Sequence, residues 1–524
     1  MRIQRERNFL SFVGTGMIIF KELATGISEV MVHVFHNKKL SMKVEKKGST
    51  LLKRITGRRT NIVYQNYVLS LIITLKHNDS MKKIIISFLF VLSLIGNSPY
   101  AKADTTTEDK VYILSTVWRN VRDNFAFPQH FEHANPDSLY KVFLPKVMNA
   151  ESEQAFSLLM TEFLAKFGDG HTRFFADTPT ATVPIQFIGL DNKVYVKNIG
   201  KQFAKKIPIG SQLIKIDGVQ LTDFLESNVF PYVAAPNDDW KFRKSLDTFL
   251  NGEDGTEVSL EFLTPKNKVE ILTFNRMDSQ SMDSYEWYTP IDRRAAYVEK
   301  LPGNIAYMRM SDFTKPDEVN RVFNDNLPLF REAKGIIFDI RGNRGGTDES
   351  WNPTVLDYIA PADKDQNSAL IYKCRVANDA FQEYGSQIPQ LKDFANETAM
   401  EVVRIGGSRF SQTPDSLKIK SPVVVLTNGY TGSAAEDFAI TMKNLGLATL
   451  VGSHTIGVIS HPRYFNLPNG YRYGLSTWAY FNPDGTGIIE TGIIPDIEFE
   501  YTVDDLINGK DSQLDNAVEF LKSH

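Results

Sequence analysis

The chain reads as an α/β protein, and three stretches carry that reading. Val423-Val424-Val425-Leu426-Thr427 is an apolar, largely β-branched run that stops at Asn428-Gly429. It passes through small residues into a stripe of Ala435, Phe438, Ala439 and Met442, the pattern of strand, tight turn and helix. Gly335-Ile336-Ile337-Phe338-Asp339-Ile340 is a second buried strand, ending in the glycine-rich Arg341-Gly342-Asn343-Arg344-Gly345-Gly346 and leading into a helix. Ala448-Thr449-Leu450-Val451-Gly452 supplies a further strand after the helix from 433. The strand at 422–427, the helix from 433 and the strand at 448–452 make a βαβ unit whose crossover is expected to be right-handed.

At 524 residues the chain is too long for one ordinary core, and two or three domains are expected. A formal net charge of −3 gives no reason to expect a nucleic-acid partner. The single cysteine, Cys374, cannot form an internal disulfide. No His/Cys cluster has metal-ligand spacing, so neither a metal nor a cofactor is expected.

Taken in order, the chain first shows Met81-Lys82-Lys83, an apolar run from Ile84 to Ile95, and Ala101-Lys102-Ala103. These are the n-, h- and c-regions of a secretory signal peptide, with an h-region too short for an ordinary membrane span. Residues 81–103 are therefore expected to direct export, to the periplasm or the exterior, with cleavage before Asp104. No cysteine follows for a lipid anchor, and no transmembrane helix is expected in the mature chain. A signal at position 81 implies that Met81 is the true start and that residues 1–80, rich in Lys and Arg, are an upstream extension. A basic or membrane-associating extension is the rival reading.

Residues 104–180 form a helical region. Val111, Leu114, Val117, Trp118 and Val121 recur at helical spacing, as do Phe156, Leu159, Phe163 and Leu164. The region ends in Phe167-Gly168-Asp169-Gly170-His171-Thr172-Arg173, a tight loop presenting one histidine. Residues 181–275 are mostly β. Val194-Tyr195-Val196 and Leu213-Ile214-Lys215-Ile216 are short strands, and Val258–Phe262 pairs with Val269–Phe274 across Pro265-Lys266-Asn267. Residues 276–524 are α/β, with a strand over 304–310, a helix holding Val319, Val322 and Phe323, the two strand–turn units above, and a last helix with Leu514, Ala517, Val518 and Leu521 on one face.

Ser433 stands where a strand ends and a helix begins. There a hydroxyl is exposed beside N–H groups that the helix has not used, the placement a serine nucleophile needs. The alternative is that Ser433 is only a helix N-cap. A serine nucleophile needs a base. His171, aimed by the Gly-Asp-Gly turn, is the preferred one, with His454 and His461 as rivals. The glycine turn at 342–346 leaves backbone N–H groups free for an anion, and it lacks the Gly-Lys-Ser/Thr ending of a phosphate-binding loop.

These pieces in this order resemble the C-terminal processing peptidases, or tail-specific proteases. The motifs are Asp-Gly-His-Thr at 169–172, Ile209-Gly210-Ser211-Gln212-Leu213-Ile214-Lys215-Ile216-Asp217-Gly218 (which resembles a PDZ domain), Asp339-Ile340-Arg341-Gly342-Asn343-x-Gly345-Gly346, and Thr431-Gly432-Ser433-Ala434-Ala435-Glu436. Val451-Gly452-x-x-Thr455-x-Gly457 and Gly492-Ile493-Ile494-Pro495-Asp496 complete the set. The resemblance implies a crotonase-like (ClpP/crotonase) α/β serine protease core, a PDZ-like β module and a polypeptide substrate, with its C-terminal tail as a candidate recognition element. Many members use a Ser/Lys dyad; here Val458 stands at the lysine position. The chain is therefore more similar to the tricorn-core-like branch. That branch implies Ser433 as nucleophile, His171 as base, Glu490 as the distal carboxylate, and an oxyanion hole of the Ala434 N–H with Gly345 or Gly346. The branch's serine before the histidine is Gly170 here. The PDZ-like module lacks the carboxylate-binding Gly-Leu-Gly-Phe loop, of which Ile188-Gly189-Leu190 is at most a remnant, and this departure counts against tail recognition. The rival functions are an inactive or weak peptide-binding relative and an acyl-CoA enzyme of the same fold; export and the β module argue against the latter. The sequence leaves the oligomeric state open.

Overall fold

The computed structural model describes residues 105–523 apart from 177, 366–368, 376–399 and 404–409. The expected upstream extension and signal segment lie outside the described residues, which fall within one compact unit, Lys102–His524.

The helical start consists of Thr107–Asn124, Pro136–Met148 and Glu153–Ala165. Each helix opens on a side-chain cap: Thr106 with Asp109 in a capping box, Asn135, and Ser152. Ile113, Leu114, Val117 and Val121 form the buried stripe of the first helix. They join Phe143, Phe156, Phe163 and Phe167 in one core, together with Tyr473 and Leu475 from the strand Arg472–Phe481. Burying four or five such phenylalanines is worth on the order of 10 kcal/mol. It fixes the helical start onto a long antiparallel hairpin, Ser460–Asn466 with Arg472–Phe481, which was not expected from the sequence.

That hairpin lies in a sheet with Arg173–Phe174, Ile371–Arg375 and Met400–Val403. The pairing Arg173↔Gly474 and Phe174↔Tyr473 sets the 168–172 turn at its edge.

Residues 185–275 contain a six-stranded antiparallel sheet in the order 185–190, 193–199, 212–216, 257–263, 269–275, with 219–220 paired to 212–216. The expected hairpin forms in register Glu257↔Asn275 to Leu263↔Val269. Asp217 and Gly218 both have positive φ, the turn chemistry that a two-residue hairpin requires. Val194, Val196, Leu213, Leu260 and Phe262 face its separate core.

The α/β part holds a six-stranded sheet in the order Ile497–Glu498, Thr449–Gly452, Val423–Thr427, Gly335–Asp339, Ile305–Met310, Ala296–Leu301. It is parallel except for its last pair. Alternate residues serve two cores. Ile336, Phe338, Val423 and Val425 meet the helix Ala434–Asn444, whereas Ile337, Val424 and Leu426 meet Ala517 and Leu521 of the final helix. Both faces are buried, which is why these strands read as unbroken apolar runs. The expected helix after the 342–346 turn is instead a short 3₁₀ turn, Asp348–Ser350, followed by Thr354–Ile359. Gly346 pairs as an isolated bridge with Phe313, which holds that segment extended. Among the described residues no helix is long and apolar enough to cross a membrane.

Candidate active site

Strands 335–339 and 423–427 are parallel neighbours, so their C-terminal turns meet. Four hydrogen bonds join them. Gly342 N–H donates to Asn428 Oδ1 (2.9 Å), Thr431 Oγ1 to Ile340 O (3.1 Å), Gly432 N–H to Asn343 O (2.9 Å), and Ile340 N–H to Leu426 O (3.1 Å). Asn343 is fully buried and uses its side chain as well: Nδ2 donates to Met310 O (3.0 Å) and Oδ1 accepts the Gly345 N–H (2.8 Å).

Ser433 sits on this joint at φ 56°, ψ −131°. A non-glycine residue held there stores roughly 1–3 kcal/mol of strain, and the sharp bend lifts its side chain off the strand end. Gly345 passes directly in front. A methyl group added to it would stand 2.7 Å from Ser433 Cβ and 2.8 Å from the Ala434 nitrogen. Only glycine permits that approach.

The two expected oxyanion donors on the glycine turn separate at this point. The Gly345 N–H is already held by Asn343, so it is not free for a ligand. For the N–H groups of Gly346 and Ala434 no acceptor occurs among the described residues. Gly346 is exposed and has φ +146°, with Phe313 backbone where a side chain would go.

Glu436, at the third position of the helix that Ser433 caps, is buried and organises the next loop. Its Oε2 accepts the N–H of Ser433 (2.9 Å) and of Val458 (3.0 Å); its Oε1 accepts from Thr455 Oγ1 (2.5 Å) and the Gly457 N–H (2.7 Å). Burial raises this carboxyl to about 7, against the pull of those four donors. The Val458 side chain in turn faces the 168–172 turn: a methyl group on Gly170 would meet Val458 Cγ2 at 2.7 Å. Val458 therefore stands between the Ser433 turn and the His171 turn. The same contact accounts for Gly170, because a serine there would clash with the valine at the dyad-lysine position.

His171 is half-buried. Its Nδ1 lies 2.9 Å from Ser460 Oγ, Ser460 Oγ lies 2.8 Å from Ser476 Oγ, and Ser476 Oγ donates to Asp169 Oδ2 (2.5 Å), which also accepts the Thr172 N–H (2.9 Å). An ionised carboxylate only accepts, so the chain has one direction. Ser476 donates to Asp169, Ser460 to Ser476, and His171 Nδ1–H to Ser460. The lone pair is then on Nε2. Burial lowers His171 to about 4, opposed by the Asp169 charge and assisted by those of Arg173 and His461. The ring is therefore neutral at physiological pH.

Glu490 is not behind His171. Its Oε1 meets His130 Nε2 at 2.9 Å, and His130 Nδ1 faces Phe167 O at 2.8 Å. Its backbone carbonyl accepts from Asn237 Nδ2 (2.8 Å). Glu490 thus holds the residue that grips the start of the 168–172 turn. The carboxylate that reaches His171 is Asp169, through two hydroxyls. The cause is the hairpin 460–481, which inserts Ser460 and Ser476 where the expected partner would lie. Of the rival bases, His454 is exposed with Nδ1 3.3 Å from Thr455 O, and His461 is exposed with its ring centred 6.0 Å from that of Trp478. Among the described residues no group of three or more His, Cys, Asp or Glu could hold a metal.

Residues 304–499 match the model of peptidase family S41, and residues 107–165 match the tricorn protease C1 domain. The carboxy-terminal-processing protease of Bartonella bacilliformis is 24% identical over 317 residues, covering 57% of this chain and 64% of that protein. The tricorn protease homolog of Saccharolobus solfataricus is 26% identical over 269 residues, covering 50% of this chain and 21% of that protein. The chain thus spans less than two thirds of either relative. The structure of mature CPAF complexed with lactacystin superposes with a TM-score of 0.62 at 13% identity, covering 79% of this chain and 98% of that one, a likeness of fold.

Proposed function

We propose, from the match of residues 304–499 to peptidase family S41 and the geometry of the turns, that the protein hydrolyses peptide bonds in polypeptides, with Ser433 as nucleophile and His171 as base. The observation that carries this reading is Val458, whose N–H is held by Glu436 of the strained Ser433 turn and whose side chain faces Gly170, next to a histidine whose Nδ1 is engaged by a one-way chain of hydrogen bonds. Ser433 Oγ attacks the substrate carbonyl carbon while its proton passes to His171 Nε2. The carbonyl oxygen, now anionic, accepts from the N–H groups of Ala434 and Gly346. The C–N bond breaks as His171 returns the proton to the leaving amine. A water then repeats the two steps against the acyl-enzyme, releasing the acid and restoring Ser433. Asp169, Ser476 and Ser460 keep Nδ1 protonated and favour the imidazolium that forms.

Residues 276–524 are assigned as a crotonase-like protease domain, 181–275 as a PDZ-like module, and 104–180 as the helical region that supplies the base. Export through the signal at 81–103, to the periplasm or the exterior, belongs to the same reading. The module meets the catalytic turns at several points, among them Asn237 on the Ile456 and Glu490 carbonyls. Arg344 forms a two-pronged ion pair with Asp247 (2.6 and 2.8 Å), and Tyr430 Oη accepts the Gly189 N–H (3.0 Å).

A fluorophosphonate probe tests the chemistry. Wild type labels, and Ser433→Ala and His171→Ala label at least a hundredfold more slowly. Equal labelling of Ser433→Ala removes the assignment, and full labelling of His171→Ala with loss in His454→Ala or His461→Ala moves the base.

A further inference from the structure

Among the described residues two carboxyl oxygens are buried without a hydrogen-bond donor, Asp348 Oδ1 and Asp437 Oδ1. They belong to the two turns that make the site. Asp348 follows Gly346 by two positions and opens the 3₁₀ turn Asp348–Ser350. Asp437 lies in the first turn of the helix that Ser433 caps, and its N–H donates to the Ser433 carbonyl (3.1 Å). The 3₁₀ turn packs against that helix. The rings of Trp351 and Phe313 lie 5.6 and 6.3 Å from that of Phe438, centre to centre. Phe313 O accepts the Thr347 N–H (3.0 Å) and Ser350 Oγ (2.9 Å), which fixes the segment after Gly346 on its other side.

An ionised carboxylate buried without a donor is costly, and two on facing turns add their repulsion. The charges that bear on Asp437 are those of Asp348 and Glu436, both repulsive, and with burial they raise its carboxyl well above the ordinary range. Burial raises Asp348 too, opposed by the Trp351 indole N–H, which does not reach hydrogen-bond geometry. The charged groups of the neighbouring elements are engaged elsewhere. On the helix Pro316–Asp325, which packs on the 3₁₀ turn, Arg321 pairs with Asp325 (3.4 Å), and Asn320 Nδ2 donates to Glu349 O (2.7 Å). Asp357 of the helix Thr354–Ile359 accepts the N–H groups of Gln412 (2.6 Å) and Thr413 (3.0 Å), and Lys443, near the far end of the Ser433 helix, pairs with Asp496 (2.9 Å). One proton removes both defects. A protonated carboxyl is a donor, so a proton on Asp437 directed at Asp348 gives each orphan oxygen a partner and cancels one of the two like charges.

We infer that Asp437 is a positioning residue: it keeps a proton, donates it to Asp348, and through this bond holds the Gly346 N–H in place beside the Ser433 turn. The inference rests on the reading of Ser433 as nucleophile and Gly346 as an oxyanion donor. Glu436 does not share the role. Its two oxygens accept four donors, so ionisation strengthens its contacts. Ionisation of Asp437 does the opposite: the two carboxylates repel, the 3₁₀ turn moves off the helix, and the oxyanion loses a donor. Reaction at Ser433 therefore falls as pH rises above neutrality.

The second-order rate of fluorophosphonate labelling of the full chain is measured at about pH 7 and about pH 9, with circular dichroism at each pH to establish that the protein is folded. Wild type loses at least about tenfold over this range, the effect of a displaced oxyanion donor. In Asp437→Asn and Asp348→Asn the ratio of the two rates stays within about twofold, because an amide at either position supplies an N–H that does not titrate. A wild-type rate that holds at the higher pH, or a fall of wild-type size in an asparagine variant that folds, overturns the inference. Infrared spectroscopy reads the proton without the reaction. The carbonyl stretch of a protonated carboxyl appears in the difference spectrum of wild type less Asp437→Asn at neutral pH, and its absence overturns the inference. A wild type that labels at no pH sinks the peptidase reading instead, and the infrared band still decides whether Asp437 carries the proton.

Discussion

Replacing Asp169 by Asn removes the charge from the far end of the histidine chain while leaving its geometry in place. A single oxygen, Oδ2, accepts both from Ser476 (2.5 Å) and from the Thr172 N–H (2.9 Å). An asparagine carbonyl placed there accepts both, and the direction of the chain survives. What is lost is the attraction between the carboxylate and the imidazolium formed in the transition state. Three hydrogen bonds of 2.9, 2.8 and 2.5 Å separate the groups. The charges are therefore roughly 7 Å apart, and at an effective dielectric of about 20 their attraction is about 2 kcal/mol. The expected loss is about thirtyfold in kcat/KM, with a smaller change in KM than in kcat. It is read with an internally quenched peptide, and independently as the second-order rate of fluorophosphonate labelling against pH. The wild-type labelling rate rises through a limb near pH 4, where burial places His171, and in Asp169→Asn this limb moves lower, because the Asp169 charge is the influence that raises it. Ser460→Ala, which leaves a buried Nδ1–H without its acceptor, is expected to cost more than Asp169→Asn. A change under twofold in both assays for Asp169→Asn, with the protein folded, refutes the chain as a functional unit.

The remaining predictions concern the joint between the turns. Gly170→Ser forces an atom to within 2.7 Å of Val458 and destabilises by about 1–3 kcal/mol in urea unfolding. Adding Val458→Ala restores most of that, and purely additive effects would show that the two positions do not meet. Glu436→Gln turns an amide NH₂ toward two donors and costs about 2–4 kcal/mol; a loss below about 0.5 kcal/mol would mean that the carboxylate does not hold the loop. Asp348 and Asp437 are buried carboxyls raised by burial, Asp348 to about 6 and Asp437 further by the charges of Asp348 and Glu436. A carboxyl raised in the folded state confers stability that is complete below its ordinary value of 3.8 and is lost as pH rises through the folded value. Unfolding free energy therefore falls as pH rises from about 4 through the Asp348 value of about 6, and at pH 8 Asp437→Asn is more stable than wild type. A variant less stable than wild type at pH 8 contradicts this.

Much of the fold was legible because its signals are local. Two strands buried on both faces show as unbroken apolar runs at 335–340 and 423–427, and the hairpin 257–275 shows as alternation around a turn. Ser433 and the glycine turn were legible for the same reason: a strained bend and a close backbone approach need particular residues at consecutive positions. The chain behind His171 was not. Ser460 and Ser476 lie on opposite strands of a hairpin in which buried polar and apolar residues do not alternate cleanly, and nothing in a lone serine marks it as a partner of a residue about three hundred positions away. Glu490 was assigned by likeness, whereas its partner depends on where His130 falls.

By itself the sequence determined the classes of element, the bend that exposes a hydroxyl, and the glycine that must pass before it, because each is set by residues within a few positions of one another. Tertiary structure alone decided which carboxylate stands behind the histidine and which N–H of the glycine turn is left open. Those outcomes depend on side chains brought together from distant parts of the chain by the burial of a phenylalanine-rich core, and the distance between them is not written in the order of residues.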